Sequence, residues 1–231
     1  MLQKKFRNTG EDVLTSINFQ DFADGVGYST LYGLCSASRT ALINGSYALT
    51  KAGAYSDVLA TSAPVATSSS WSKVLDLDFD AVINLPTRIR GKTLLNVPLK
   101  PVSSGANNTL DGFVWAYLKK VVNGVETVIV DASSAIVVHQ LLSSVTTYNH
   151  ERMVLVELNT PLTLFKKGEI LRITLEGWGQ RTGLGHTTTG LYIGHDPQNR
   201  LPNAVGPDIG FSSAHGDNTI MTIQLPIIID R

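Results

Sequence analysis

Three runs of strict alternation constrain what this chain can fold into. Leu75, Leu77 and Phe79 alternate with Asp76, Asp78 and Asp80; Val154, Val156 and Leu158 share one parity; Ile223, Leu225, Ile227 and Ile229 share another near the end of the sequence. Successive side chains of a β-strand point to opposite faces, so a period of two builds one apolar face. A helix would scatter the same residues around its circumference. Two Asn-Gly dipeptides, Asn44-Gly45 and Asn123-Gly124, sit between apolar runs. They supply the positive φ angles of a type I′ turn, the tightest link between antiparallel strands.

Other segments read as strands between turn signals. They are Tyr28 to Tyr32, Tyr47 to Leu49, Lys92 to Leu99 bounded by Gly91 and Pro101, Phe113 to Val122 paired with Val125 to Val130, Ile170 to Leu175 after a charged turn, and Leu191 to Ile193. Pro161 is expected to end the run from Arg152. Residues 60–70, rich in Ser, Thr and Ala, read as a loop, and so does the glycine-rich stretch from Gly177 to Gly185. The segment Ala135 to Ser144 is open between helix and extended chain. Many short strands without amphipathic helices predict an all-β chain, an antiparallel β-sandwich of jelly-roll type. Residues 1–24 are expected to form an extended N-terminal arm, and 25–231 a single domain with a loop-rich segment at 177–218.

Composition narrows the partners. With 231 residues the chain matches one large sandwich. Charged residues make up only 16%, below the roughly 25% of ordinary globular chains, which favours burial of surface in a homo-oligomer. Positive and negative residues balance at 19 each. The one basic cluster is Lys4, Lys5 and Arg7, so no nucleic-acid partner is expected. Cys35 is the only cysteine, which excludes an internal disulfide and suits a small buried filler. No apolar run follows the N-terminal lysines, so no secretory signal is expected. No stretch is long enough for a membrane helix.

Motifs for chemistry are weak. The five histidines (His139, His150, His186, His195 and His215) lack the three-to-five-residue spacing of zinc ligands. His186, His195 and His215 fall in the loop-rich part near Asp196, Asp208 and Asp217, but loop histidines are more often solvated or hydrogen-bonded than metal-bound. Asp76, Asp78 and Asp80 form a row on a strand rather than the curled loop calcium needs. Gly177 to Gly185 lacks the ending of a phosphate loop, and Gly210 to Ala214 departs from a nucleophile elbow. Phe113, Trp115 and Tyr117 share one strand face, which core packing explains most simply. Trp178, following a strand into the glycine loop, is the best candidate for an exposed contact.

Three stretches carry a resemblance. Asn18 to Phe22 leading into Gly25 to Tyr28 resembles the opening of many bacteriophage virion proteins, Phe165 to Ile173 looks like the charged-turn element of jelly-roll shells, and Leu225 to Asp230 is similar to their closing strand. The resemblance implies a virion structural protein, localised to the particle and not an enzyme, without catalytic residues, metal or cofactor. Its partners would be itself, as a homo-oligomer, and other virion proteins such as the major capsid protein, with no nucleic acid and no membrane. The expected interaction surface comprises Lys4, Lys5, Arg7, Trp178, Arg181, His186 and His195. The alternative is a glycan-binding module of a phage tail, with Trp178 and the 177–218 loops forming the site.

Overall fold

Alternation becomes architecture in the computed structural model, which describes residues 26–35, 47–51, 60–66, 68–103, 109–140, 151–182, 189–200, 211 and 216–228. Among these residues every regular element is a strand: β1 (Val26–Cys35), β2 (Tyr47–Thr50), β3 (Ala60–Pro64), β4 (Ser68–Val82), β5 (Thr87–Ser103), β6 (Thr109–Val122), β7 (Val125–Ser133), β8 (Val137–Gln140), β9 (Arg152–Phe165), β10 (Ile170–Thr182), β11 (Thr189–Gly194) and β12 (Thr222–Ile228). The strands hydrogen-bond in the order β3-β11-β5-β12-β1-β2-β4-β10-β6-β7, with β8 on β6 and β9 on β5. Every pairing is antiparallel except the single Ala48–Asp80 bridge between β2 and β4.

The sheet folds back on itself, so that β6 lies against β5 and β9. Leu75, Leu77, Phe79, Val114, Ala116, Leu118, Ile173 and Leu175 from one half interleave with Ile89, Leu95, Val97, Leu99, Val156, Leu158, Leu191 and Ile223 from the other. Full burial of each large aliphatic or aromatic side chain contributes roughly 1.5–3 kcal/mol, and this two-sided layer is the main stabilising element. The all-β class and the sandwich packing agree with the alternating runs. Strand order alone does not distinguish a jelly roll from other two-layer β folds.

Several expected boundaries move. Residues 60–70 hold β3 and the start of β4 rather than a loop. β5 passes through Gly91, Pro98 and Pro101, and β9 continues through Pro161 to Phe165. Pro161 falls where the β5–β9 register shifts, between Thr160 opposite Gly91 and Thr163 opposite Ile89. An irregularity of that kind tolerates a residue with no N–H to give. The Asn123-Gly124 turn is as expected, with φ of 51° and 80°. Asn44-Gly45, the extended arm 1–24 and most of the remaining 177–218 loops lie outside the described residues.

The stretch from Gly177 is strand rather than flexible loop: Gly177, Trp178 and Gly179 continue β10 to Thr182. The glycines are there for close packing. A Cβ on Gly177 would sit 3.0 Å from Leu75 Cβ and 3.1 Å from Leu191 Cδ2, and one on Gly112 of β6 would sit 2.7 Å from Leu191 Cδ1. Leu191 of β11 therefore presses onto the backbone of β6 and β10 from within, and Trp178, between the two glycines, points outward.

Candidate functional site

The outward face of β4, β10, β6 and β7 carries the most distinctive chemistry of the molecule. On β6 the buried parity is Leu110, Gly112, Val114, Ala116 and Leu118, while Asp111, Phe113, Trp115, Tyr117 and Lys119 are half-buried on the other side. The expectation that Phe113, Trp115 and Tyr117 pack in the core is therefore corrected: they line the outer surface. Trp178 is in register with Phe113, and Glu176 with Trp115. On β4 a register shift skips Val74, pairing Leu75 with Gly177 but Lys73 with Trp178. The bulge reverses parity, and Lys73 and Trp71 turn outward beside the β6 aromatics.

The rings form a continuous panel. Trp71 meets Phe113 edge-on at 4.9 Å between centroids. Phe113 lies parallel to Trp178 at 6.1 Å, with 5° between planes. Trp115 follows Phe113 at 6.5 Å, and Tyr117 follows Trp115 at 6.4 Å with 16° between planes. All three tryptophans of the chain are in this panel.

Glu176 organises it. Its Oε2 accepts hydrogen bonds from Trp178 Nε1 at 3.0 Å and Tyr117 Oη at 3.3 Å, and its Oε1 accepts one from Lys73 Nζ at 3.0 Å. Lys73 also donates to Asp76 at 2.8 Å, and these bonds hold its ammonium well above the usual lysine range. Trp115 Nε1 donates to Asp131 at 2.9 Å. The polar edges of Trp115, Tyr117 and Trp178 are thus tied to carboxylates, which fixes ring orientation and leaves ring surface for contact. Burial raises the Tyr117 phenol, with the Glu176 charge adding to the effect. Burial also raises the Asp111 carboxyl at the end of the row.

Beyond the aromatics the same face becomes ionic. Arg172 of β10 is buried and reaches Asp80 through Nε and Nη2, both at 2.7 Å. It also bonds Asp78 at 3.1 Å and Glu126. The aspartate row of β4 is therefore partly neutralised within the chain.

The expected interaction residues separate. Trp178 is on the panel. Arg181 is buried on the opposite parity of β10, facing inward, which removes it from any outer surface. His195 is fully buried, which corrects its expected surface role. Its Nε2 lies 3.0 Å from Thr61 Oγ1, which lies 2.9 Å from Tyr47 Oη, a chain tying β11, β3 and β2. A hydroxyl beside an imidazole has the makings of a nucleophile and base, but this histidine is sealed from solvent, and burial lowers its pKa to about 4. Lys4, Lys5, Arg7 and His186 lie outside the described residues. Among the described residues, no group of three or more His, Cys, Asp or Glu side chains is placed to hold a metal ion. Among the described residues, too, no helix is long and apolar enough to cross a membrane. A second polar centre, Lys100 with Asp217 at 2.6 Å, is buried between β5 and the segment before β12.

Comparison with known proteins fixes no family. No family model matches the chain, and no curated protein matches it. Among solved structures, a CocE/NonD family hydrolase from Staphylococcus aureus matches at 16% identity and TM-score 0.45, covering 88% of this chain and 37% of the hydrolase. An α-amino acid ester hydrolase matches at 12% identity and TM-score 0.45, covering 87% of this chain and 36% of the other. Infectious bursal disease virus matches more weakly, at 10% identity and TM-score 0.28, covering 87% and 38%. The chain spans little more than a third of the length of the structures it matches.

This corrects the expectation of a virion structural protein with no enzymatic role. The higher TM-scores among these structures belong to hydrolases and the lower ones to the viral structures, and all of them are under 0.5. What remains of the resemblance is a weak likeness to infectious bursal disease virus, at TM-score 0.28. At these identities and TM-scores no substrate or residue role transfers in either direction.

Proposed function

We propose that the aromatic face of β4, β10 and β6 binds carbohydrate, laying sugar rings along Phe113, Trp115 and Tyr117 with Trp178 extending the panel sideways. The observation that carries this reading is the panel itself: five neighbouring rings on the outside of a sheet, with the Trp115 and Trp178 indole N–H groups and the Tyr117 phenol engaged by carboxylates. A soluble protein seldom leaves a contiguous aromatic patch outward without a binding role. A pyranose ring presents an apolar C–H face to stack on an aromatic and a rim of hydroxyls for hydrogen bonds. The panel offers the complementary arrangement, flat rings edged by Asp76, Asp131 and Glu176. Nucleic-acid bases also stack on aromatics, but such sites pair stacking with a basic groove for phosphates. Here the rings are bordered by carboxylates, which would repel a phosphate chain.

Tryptophan fluorescence reads this face directly, because every tryptophan of the chain lies on it. Titration with a panel of soluble oligosaccharides is expected to shift the emission saturably for at least one. Trp115→Ala is expected to weaken binding at least tenfold, about 1.4 kcal/mol, with the melting temperature little changed. A face that binds no sugar in the panel, or a Trp115→Ala protein that binds as the wild type does, would refute the reading.

A further inference from the structure

Resting on that reading, we propose that the ligand is a polysaccharide bearing free amines, an amino-sugar chain, rather than a neutral or acidic one. The aromatic rings remain the contact surface; the choice among sugars comes from what surrounds them. Seven carboxylates on β4, β10, β6 and β7 lie on this face or bond to its residues: Asp76, Asp78, Asp80, Asp111, Glu126, Asp131 and Glu176. Three cations accompany them, Lys73, Lys119 and Arg172. The chain as a whole has zero formal net charge, so this surplus is a local concentration of negative field.

The cations are already engaged. Lys73 is bound by Asp76 and Glu176, Lys119 by Glu126, and Arg172 by Asp78, Asp80 and Glu126. Of the carboxylates along the ring row, Asp76 and Glu176 share the single Lys73 ammonium, whereas Asp131 is held by a neutral donor. Asp131, in register with Tyr117, is exposed and is bonded by the neutral Trp115 indole. Asp76, in register with Glu176 on the other flank, is about half exposed. The row is therefore bordered by carboxylates on both long sides. An ammonium group resting on Trp115 or Tyr117 would meet the negative face of a ring from below and a carboxylate from either side. A uronic-acid chain would bring its own carboxylates into the same field, and a neutral sugar would gain hydrogen bonds from its hydroxyls but no attraction between opposite charges.

The test compares three hexasaccharides by tryptophan fluorescence in mildly acidic buffer: one of glucosamine, its fully N-acetylated counterpart, and one of galacturonic acid. Acetylation removes the charge and keeps the backbone. The glucosamine form is expected to bind at least tenfold tighter than the acetylated form, with the uronic acid form weakest. That ratio is expected to fall several-fold in Asp131→Asn, where the amide oxygen still accepts from the Trp115 indole. It should also collapse near 1 M salt, where the screening length is about 3 Å. Equal or tighter binding of the acetylated form overturns the amine preference while leaving carbohydrate binding in place. An unchanged ratio in Asp131→Asn also overturns it. Failure of all three sugars to bind overturns the amine preference, and carbohydrate binding falls with it only where the wider oligosaccharide panel is blank as well.

Discussion

His195 makes the stability of this protein pH-dependent in a calculable way. Its imidazole is fully buried, in contact with the rings of Tyr47 and Phe79. Burial disfavours the charged form and lowers the pKa from 6.5 to about 4. In the unfolded chain the same group titrates at its ordinary value. Between the two values the unfolded state holds a proton that the folded state does not, so stability falls as pH drops through 6.5 and levels off below about 4. The linkage relation gives a loss of about 2 kcal/mol by pH 5 and about 3 kcal/mol by pH 4. For a chain of this size, the loss at pH 5 is a fall in melting temperature of roughly 4–8 °C. Burial pushes the carboxyls of Glu151 and Asp111 upward, which acts in the opposite sense, so the wild-type profile is a sum. The contribution of His195 is isolated by comparison with His195→Gln, whose amide can still bond Thr61 but does not titrate. Calorimetric melting of both proteins at pH 7 and pH 5 measures it. The variant is expected to melt lower at pH 7 from imperfect packing, yet to lose several degrees less than the wild type on acidification. An equal acid-induced drop in the two proteins would show that His195 is not the group responsible.

Two further perturbations follow from packing. Lys100→Met leaves the Asp217 carboxylate buried without its countercharge and is expected to lower stability by about 3–5 kcal/mol; a double variant with Asp217→Leu should recover most of that in urea unfolding. Gly177→Ala places a methyl 3.0 Å from Leu75 Cβ and 3.1 Å from Leu191 Cδ2, and is expected to cost about 1–3 kcal/mol by overpacking. It should also change the emission of Trp178 on the opposite side of the strand.

Much of the sheet was legible because its signal is local. Leu75 to Phe79 and Val154 to Leu158 have one apolar and one polar or mixed parity, and the structure buries the apolar one. Asn123-Gly124 closes its hairpin through the backbone angles its residues favour. Pro101 and Pro161 misled as strand ends: Pro101 is carried within the long β5, and Pro161 sits where the β5–β9 ladder shifts. The candidate site was hidden for a different reason. β6 has two apolar parities, and size alone suggests that Phe113, Trp115 and Tyr117 should be the buried ones. The deciding signal lies at their ends: Asp111 and Lys119 share the aromatic parity, whereas Leu110 and Leu118 bound the other. A bulge such as the one at Val74 leaves no mark in a period-two pattern, so the outward turn of Trp71 and Lys73 was not readable.

The segment Gly177-Trp178-Gly179 shows why fold and site are hard to separate in this chain. Glycine within a strand is unfavourable for its entropy and its missing side chain. Here the inner side has no room for more: Leu191 and Leu75 close over Gly177, and Val65 lies 2.8 Å from where a Gly179 Cβ would stand. That closeness seats the backbone of β10 deep against the core, and Trp178, between the glycines, lies parallel to Phe113. Larger residues on the inner parity would lift β10 away from β11 and tilt Trp178 out of its parallel arrangement with Phe113. The glycines that resemble a loop in the sequence are therefore the means by which Trp178 is held parallel to Phe113 on the outer side, and that placement of the rings is what the proposed sugar contact requires.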